Sequence, residues 1–156
     1  PGWVEGLLNE VQRPEVGVVG GALYASDATL AHAGYGLLSG PQVHAPWLGA
    51  SDQWQLSVRG CAAVSGDCLM LGKALFTQFG GLQALPGADI ELCLRAQEAG
   101  LMVLWTPQAQ VRAKHLAAPD ASVAQALAER WPQAFSGRAY DERLSPEACL
   151  AWMAAL

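Results

Sequence analysis

Charge is scarce in this chain. Asp, Glu, Lys and Arg make up 15% of its 156 residues, against an apolar share of 52%. So little charge implies apolar surface that meets another segment, another chain or a membrane face. The shortage is greatest among basic residues, nine against fourteen acidic ones and a net charge of −5, which leaves no electrostatic footprint for nucleic acid. Apolar runs long enough to span a bilayer are absent, so no transmembrane segment is expected, and no basic stretch opens the chain in the manner of a signal peptide. The four cysteines, at 61, 68, 93 and 149, form no C-x-x-C pair and have no histidine at zinc spacing. Their apolar surroundings suit buried thiols, which points to a reducing, cytoplasmic setting without a disulfide framework. The length suits a single domain over 1–156 with a core of its own.

Read in order, Trp3, Leu7, Leu8 and Val11 recur at helical spacing and stop before Pro14. Val16 to Tyr24 reads as a strand. Its Gly17-Val18-Val19-Gly20-Gly21 is not the dinucleotide fingerprint, because the glycine spacing is wrong and no helical pattern follows. Small residues in a strand instead mark a close approach by other backbone. Leu30 to Leu38 is a second strand-like stretch, in which His32, among apolar neighbours, reads as a hydrogen-bonded core residue. Ser39 to Gln55, rich in Gly, Pro, Ser and Gln, reads as a long loop. Trp47 and Trp54 within it suit either stacking on sugar rings or plugging the core.

Ala63-Val64-Ser65-Gly66-Asp67-Cys68 follows. Gly66 lets backbone come near a ligand, Ser65 offers a hydroxyl, and Asp67 either binds a ligand hydroxyl or faces solvent. Lys73 to Phe79 is a short amphipathic helix stopped by Gly80-Gly81. Gly87 then breaks the chain before Asp89, and Ile90, Cys93 and Leu94 share a helical face that ends at Gly100. Asp89 therefore sits at a helix N-terminus, either as its cap or as an ionised carboxylate able to take a proton from a bound hydroxyl. Glu91 and Arg95, four apart, can pair on that helix. Met102 to Trp105 is strand-like and closes at Pro107, while Gln108 to His115 alternates as a half-buried strand. Ser122 to Trp131 is a helix with Ser122 at its cap, and Glu147 to Leu156 is a last amphipathic helix after Pro146.

Taken together, Ala63-Val64-Ser65-Gly66, Gly80-Gly81-Leu82, Asp89-Ile90-Glu91-Leu92-Cys93-Leu94-Arg95, Gly100, Thr106-Pro107, Ala109 and His115 resemble, in order and spacing, the C-terminal half of family 2 glycosyltransferases. That family runs Ala-Val-Thr-Gly, then Gly-Gly-Phe, then Glu/Asn-Asp-x-Asp-Leu-x-x-Arg, a glycine, Thr/Tyr-Pro-x-Ala and a histidine. The likeness extends from Trp3 to about Ser145. It implies an α/β fold, a mixed sheet flanked by helices, forming the acceptor-side half of a GT-A type fold without its N-terminal nucleotide-binding half. The family's metal-binding Asp-x-Asp has no counterpart here, so the chain reads as part of a longer enzyme and as inactive alone.

The resemblance also implies roles. Asp89 is the general base of an inverting transfer from a nucleotide-sugar donor to a hydroxyl of a glycan or lipid-linked acceptor. Ser65 and Gly66 line the donor sugar, with Asp67 beside them. Glu91 either holds the acceptor or pairs with Arg95. Trp47 and Trp54 lie toward the acceptor, and His115 helps hold a divalent cation, Mg or Mn, with the donor diphosphate. The reaction belongs in the cytoplasm or at the inner face of the membrane. Two positions depart from the family. Ala88 stands where Glu or Asn is usual, and Glu91 where Asp is usual. These departures favour a competing expectation, a non-catalytic module binding a glycan or a protein partner. A further expectation is a homodimer formed through an exposed sheet edge.

Overall fold

In a computed structural model, residues 2–46, 57–114 and 118–136 are described. Helix α1 (Trp3–Val11) leads into strand β1 (Val16–Tyr24), which is followed by short strands β2 (Leu30–His32), β3 (Gly36–Leu38), β4 (Gln42–His44) and β5 (Arg59–Gly60). A 3-10 turn (Gly66–Cys68) precedes β6 (Leu69–Leu71) and helix α2 (Lys73–Gln78). Helix α3 (Ala88–Glu98), the long strand β7 (Met102–Arg112), helix α4 (Ala121–Arg130) and a 3-10 turn (Pro132–Phe135) complete the order.

The fold is α/β, built on a mixed sheet. β1 and β7 form its parallel centre, with Val18 opposite Val103 and Gly20 opposite Trp105. β2 and β6 pair antiparallel with β1, and β5 pairs antiparallel with β7. All nine residues of β1 are buried, because helices cover both faces of the centre. Strand alternation splits the apolar side chains into two layers. Leu7 of α1 packs with Val16, Val19, Leu23, Leu104 and Ala109. On the other face, Ile90, Cys93, Leu94 and Ala96 of α3 pack with Val18, Ala22, Val103 and Trp105.

The small residues of β1 have the expected reason. A Cβ on Gly20 would lie 2.4 Å from the Val64 Cβ, and one on Gly21 would lie 2.8 Å from the Ala109 carbonyl oxygen. Val64, one residue before Ser65, is thus pressed directly onto the central strand.

Four local expectations need correction. Pro107 does not close a strand. β7 runs on through it to Arg112, because Pro107 falls in a bulge, where the partner of Gly21 is Thr106 and that of Ala22 is Gln110. A bulge tolerates a residue with no N–H to give. Leu30 to Leu38 is two strands broken at Gly34, whose φ is 88°. The stretch from Ser39 is not all loop, since Gln42–His44 turns back to pair with β3 as a hairpin. Finally, Asp120, not Ser122, caps α4, accepting the N–H groups of Ser122 at 2.9 Å and Val123 at 3.0 Å. The expected helix over 147–156 lies outside the described residues. Among the described residues no helix is long and apolar enough to cross a membrane.

Candidate active site

Three chain segments meet beside the α3 face of the sheet. The first is 61–66. It is tied to β7 by the Cys61 N–H donating to the Val103 carbonyl at 3.1 Å. It is also laced to Tyr35, whose N–H donates to the Ala63 carbonyl at 2.8 Å and whose carbonyl accepts the Ala62 N–H at 3.0 Å. Near its end stands Ser65, the cap of the 3-10 turn. The Ser65 hydroxyl donates to Asp67 Oδ2 at 2.9 Å and accepts the Asp67 N–H at 3.2 Å.

The second segment is the start of α3. Gly87, with φ of 75°, turns the chain in the left-handed region and stands at the cap position, where it offers no side chain. Asp89 is therefore not the cap. It lies inside the first turn of the helix, and its carboxylate reaches across to the other segment. Oδ2 accepts the Gly66 N–H at 2.8 Å, and Oδ1 accepts the N–H of Ile90 at 2.9 Å. The approach is close, since a Cβ on Gly66 would lie 3.2 Å from the Asp89 Cβ.

The third segment, Ala118–Asp120 with Val123 of α4, faces these two. Together they enclose an open crevice of about 480 Å³, lined also by Tyr35, Ser65, Gly66, Asp67, Gly87 and Asp89. Asp89, Ser65, Gly66 and Asp67, expected from the sequence to act together, do share this one crevice. Burial pushes the Tyr35 phenol up to about 12, and the negative charge of Asp89 adds to the effect. The Asp120 carboxyl is held below its usual range by the Ser122 hydroxyl and the N–H groups it caps.

Beneath the crevice lies His32, 2% exposed, with its ring edge-on to Tyr35 at 4.4 Å. Its Nε2 accepts two backbone N–H groups, from Ser65 at 3.1 Å and Gly34 at 3.2 Å. A nitrogen that accepts twice carries no proton, so the ring is neutral with its hydrogen on Nδ1. Burial, with the nearby Arg59 guanidinium, lowers its pKa to about 4. The expectation of a hydrogen-bonded core histidine holds.

Glu91 is not among the crevice-lining residues. It is 2% exposed and pairs with Arg95 at 2.8 Å and with Arg130 of α4 at 3.3 Å. Arg95 also donates to the carbonyls of Phe79 and Gly81, the latter at 2.8 Å. This network joins α3, α4 and the Gly80–Gly81 turn. Trp47, Trp54 and His115 lie outside the described residues. Cys61, Cys68 and Cys93 are free and buried, and burial raises the thiol pKa of each.

Sequence reasoning missed Tyr35 and Asp120. Tyr35 follows a glycine in what reads as an ordinary strand. Asp120 precedes Ser122, and either residue could have been chosen as a cap. Neither carries a signal of its own, and only the fold brings them to the crevice.

Among the described residues no group of three His, Cys, Asp or Glu side chains converges, and Asp67 and Asp89 are each already engaged by neighbours in the crevice wall.

No protein-family model matches the chain. It is similar to an uncharacterized protein, y4gI, of Sinorhizobium fredii, 32% identical over 126 residues that cover 71% of this chain and 13% of that protein. It is also similar to the O-antigen biosynthesis protein RfbC of Myxococcus xanthus, 30% identical over 131 residues that cover 71% of this chain and 10% of that protein. The chain thus spans about a tenth of the length of the curated relatives it matches.

Proposed function

We propose that this chain forms the acceptor side and the catalytic-base half of an inverting glycosyltransferase of GT-A type, as a single domain within a longer enzyme. One observation carries the reading: the carboxylate of Asp89 is fixed at 2.8 Å on the Gly66 N–H, in the wall of a crevice shared with Ser65 and Asp67. The likeness to a protein named for O-antigen biosynthesis supports a role in making glycans.

The chemistry is a single displacement. The oxygen of an acceptor hydroxyl attacks the anomeric carbon of a nucleotide-linked sugar, and the bond from that carbon to the leaving diphosphate breaks. Asp89 takes the hydroxyl proton as the new bond forms. Two N–H groups hold its carboxylate in one orientation, and each oxygen keeps a further lone pair for the crevice. Ser65 donates its own proton to Asp67 Oδ2, so Asp67 Oδ1, which has no hydrogen-bond partner among the described residues, is the group left to receive a sugar hydroxyl. Glycosyltransferases of this type use a divalent cation to offset charge on the leaving diphosphate. The described residues do not form its site, so no step here is routed through it. We place the reaction in the cytoplasm or at the inner face of the membrane; Cys61, Cys68 and Cys93, free and buried, suit a reducing compartment.

The test is Asp89→Asn in the complete enzyme. Asn keeps an acceptor for the Gly66 N–H but is no base, so transfer should be lost while calorimetric titration shows sugar-nucleotide binding near normal. Retained turnover removes Asp89 from the role. Ala88, where the family carries Glu or Asn, favours a second reading, a non-catalytic glycan-binding module. Binding of free glycan without binding of any sugar nucleotide would select it.

A further inference from the structure

We propose that His32 is a positioning residue for this site. By accepting the N–H groups of Ser65 and Gly34 on one ring nitrogen, it sets the Ser65–Gly66 turn where the Gly66 N–H can hold the Asp89 carboxylate. The chain of contacts is short. His32 Nε2 takes the Ser65 N–H at 3.1 Å, and the next N–H along the backbone, that of Gly66, takes Asp89 Oδ2 at 2.8 Å. Two adjacent amides thus point to two different anchors, one buried below the crevice and one in its wall.

The same ring supports a second wall. Its edge contact with Tyr35 and its bond to the Gly34 N–H brace the segment that puts Tyr35 in the crevice. Gly34 passes close to Cys61, since a Cβ there would lie 3.1 Å from the Cys61 Cβ. An apolar side chain at position 32 would fill the space but leave two buried N–H groups without an acceptor, and the turn would move to find one. A carbonyl oxygen can replace the ring nitrogen, and a protonated imidazole cannot. The low pKa of His32 is consistent with a ring that stays neutral for this task.

The kinetic arm of the test rests on the reading of Asp89 as base, and the spectroscopic arm does not. In nitrogen-labelled protein at neutral pH, the His32 ring should show Nε2 unprotonated and Nδ1 protonated. A protonated Nε2 overturns the proposal. His32→Leu should move the Gly66 and Ser65 amide proton signals upfield, and His32→Gln should largely restore them. An unchanged Gly66 signal in a folded His32→Leu variant also overturns it.

In the complete enzyme, His32→Leu should lower kcat by about a hundredfold with the acceptor KM within about twofold, and His32→Gln should recover about tenfold of that loss. A merely structural role would instead let activity follow the folded fraction, with Gln no better than Leu, and that outcome refutes the positioning role. If His32→Leu does not fold, the ring tautomer and the Gln variant decide. Full activity of Asp89→Asn would overturn the catalytic reading and leave the amide signals to judge this one.

Discussion

The carboxylate of Asp89 and the backbone N–H of Gly66 meet at 2.8 Å, though 23 positions separate them in the chain. The contact depends on position 66 having no side chain. Gly66→Ala puts a Cβ 3.2 Å from the Asp89 Cβ, closer than side chains normally tolerate, so Asp89 must give way by a few tenths of an ångström. We expect kcat of the complete enzyme to fall about tenfold or more, since small misplacements of a catalytic group are costly. The unfolding free energy should change by no more than about 1 kcal/mol. Paired steady-state kinetics and urea titration check both, and a loss of stability without loss of kcat would contradict the expectation.

Asp89→Asn should reduce transfer by about 10²- to 10⁴-fold, the usual contribution of a positioned base. Asn keeps one oxygen for the Gly66 N–H but sets its amide NH2 against the Ile90 N–H, so the loss of one hydrogen bond should lower stability by no more than about 1–2 kcal/mol while the fold is kept. Product formation measured beside a thermal melt separates loss of the base from loss of the fold.

Glu91→Gln removes the charge that Arg95 and Arg130 share. Breaking a buried pair on one side typically costs about 3–5 kcal/mol, and Arg95 keeps its two carbonyl acceptors, so we expect the lower end, about 3 kcal/mol, in chemical denaturation. The acceptor KM should stay within about twofold. A raised KM at unchanged stability would return Glu91 to the role of holding the acceptor.

His32 makes stability depend on pH. Its pKa is about 4 in the folded chain and, in the unfolded chain, the ordinary histidine value of about 6.5. Between those values the unfolded chain binds more protons, so the contribution is fully present above about 6.5 and fades as pH falls toward 4. The loss over that window is about 3 kcal/mol. It should shrink when His32→Gln is compared with the parent protein across the same buffers, and an identical pH profile for both would refute it.

Much of this architecture is visible in residue patterns. The unbroken apolar run of β1, the helical spacing of Ile90, Cys93 and Leu94, and the helix stop at Gly100 are local signals, and each produced the element expected of it. Asp89, Ser65, Gly66 and Asp67 were legible as a group because the resemblance spans both of their segments. What escaped notice depends on contacts distant in sequence. Pro107 should interrupt a strand, but it falls in the bulge between Thr106 and Gln110, where it has no partner on β1 and its missing N–H is tolerated. Tyr35 looks like any strand residue until the 61–66 segment zips along it. Glu91 could not be assigned between pairing and binding, because its second partner, Arg130, lies on another helix.

The pairing at the centre of the sheet has a bearing on how the molecule comes into being. Trp105 donates its indole N–H to the carbonyl of Gly21, a residue 84 positions earlier. β1 therefore waits, during synthesis, for most of the described chain to emerge before its parallel neighbour exists. Topologies dominated by such distant partners reach their native state slowly. Until then the edge of β1 that β7 occupies stays unpaired, with only α1 and the short strands β2 and β6 against the strand, and protein synthesised only as far as α3 should be a client of chaperones rather than a folded body.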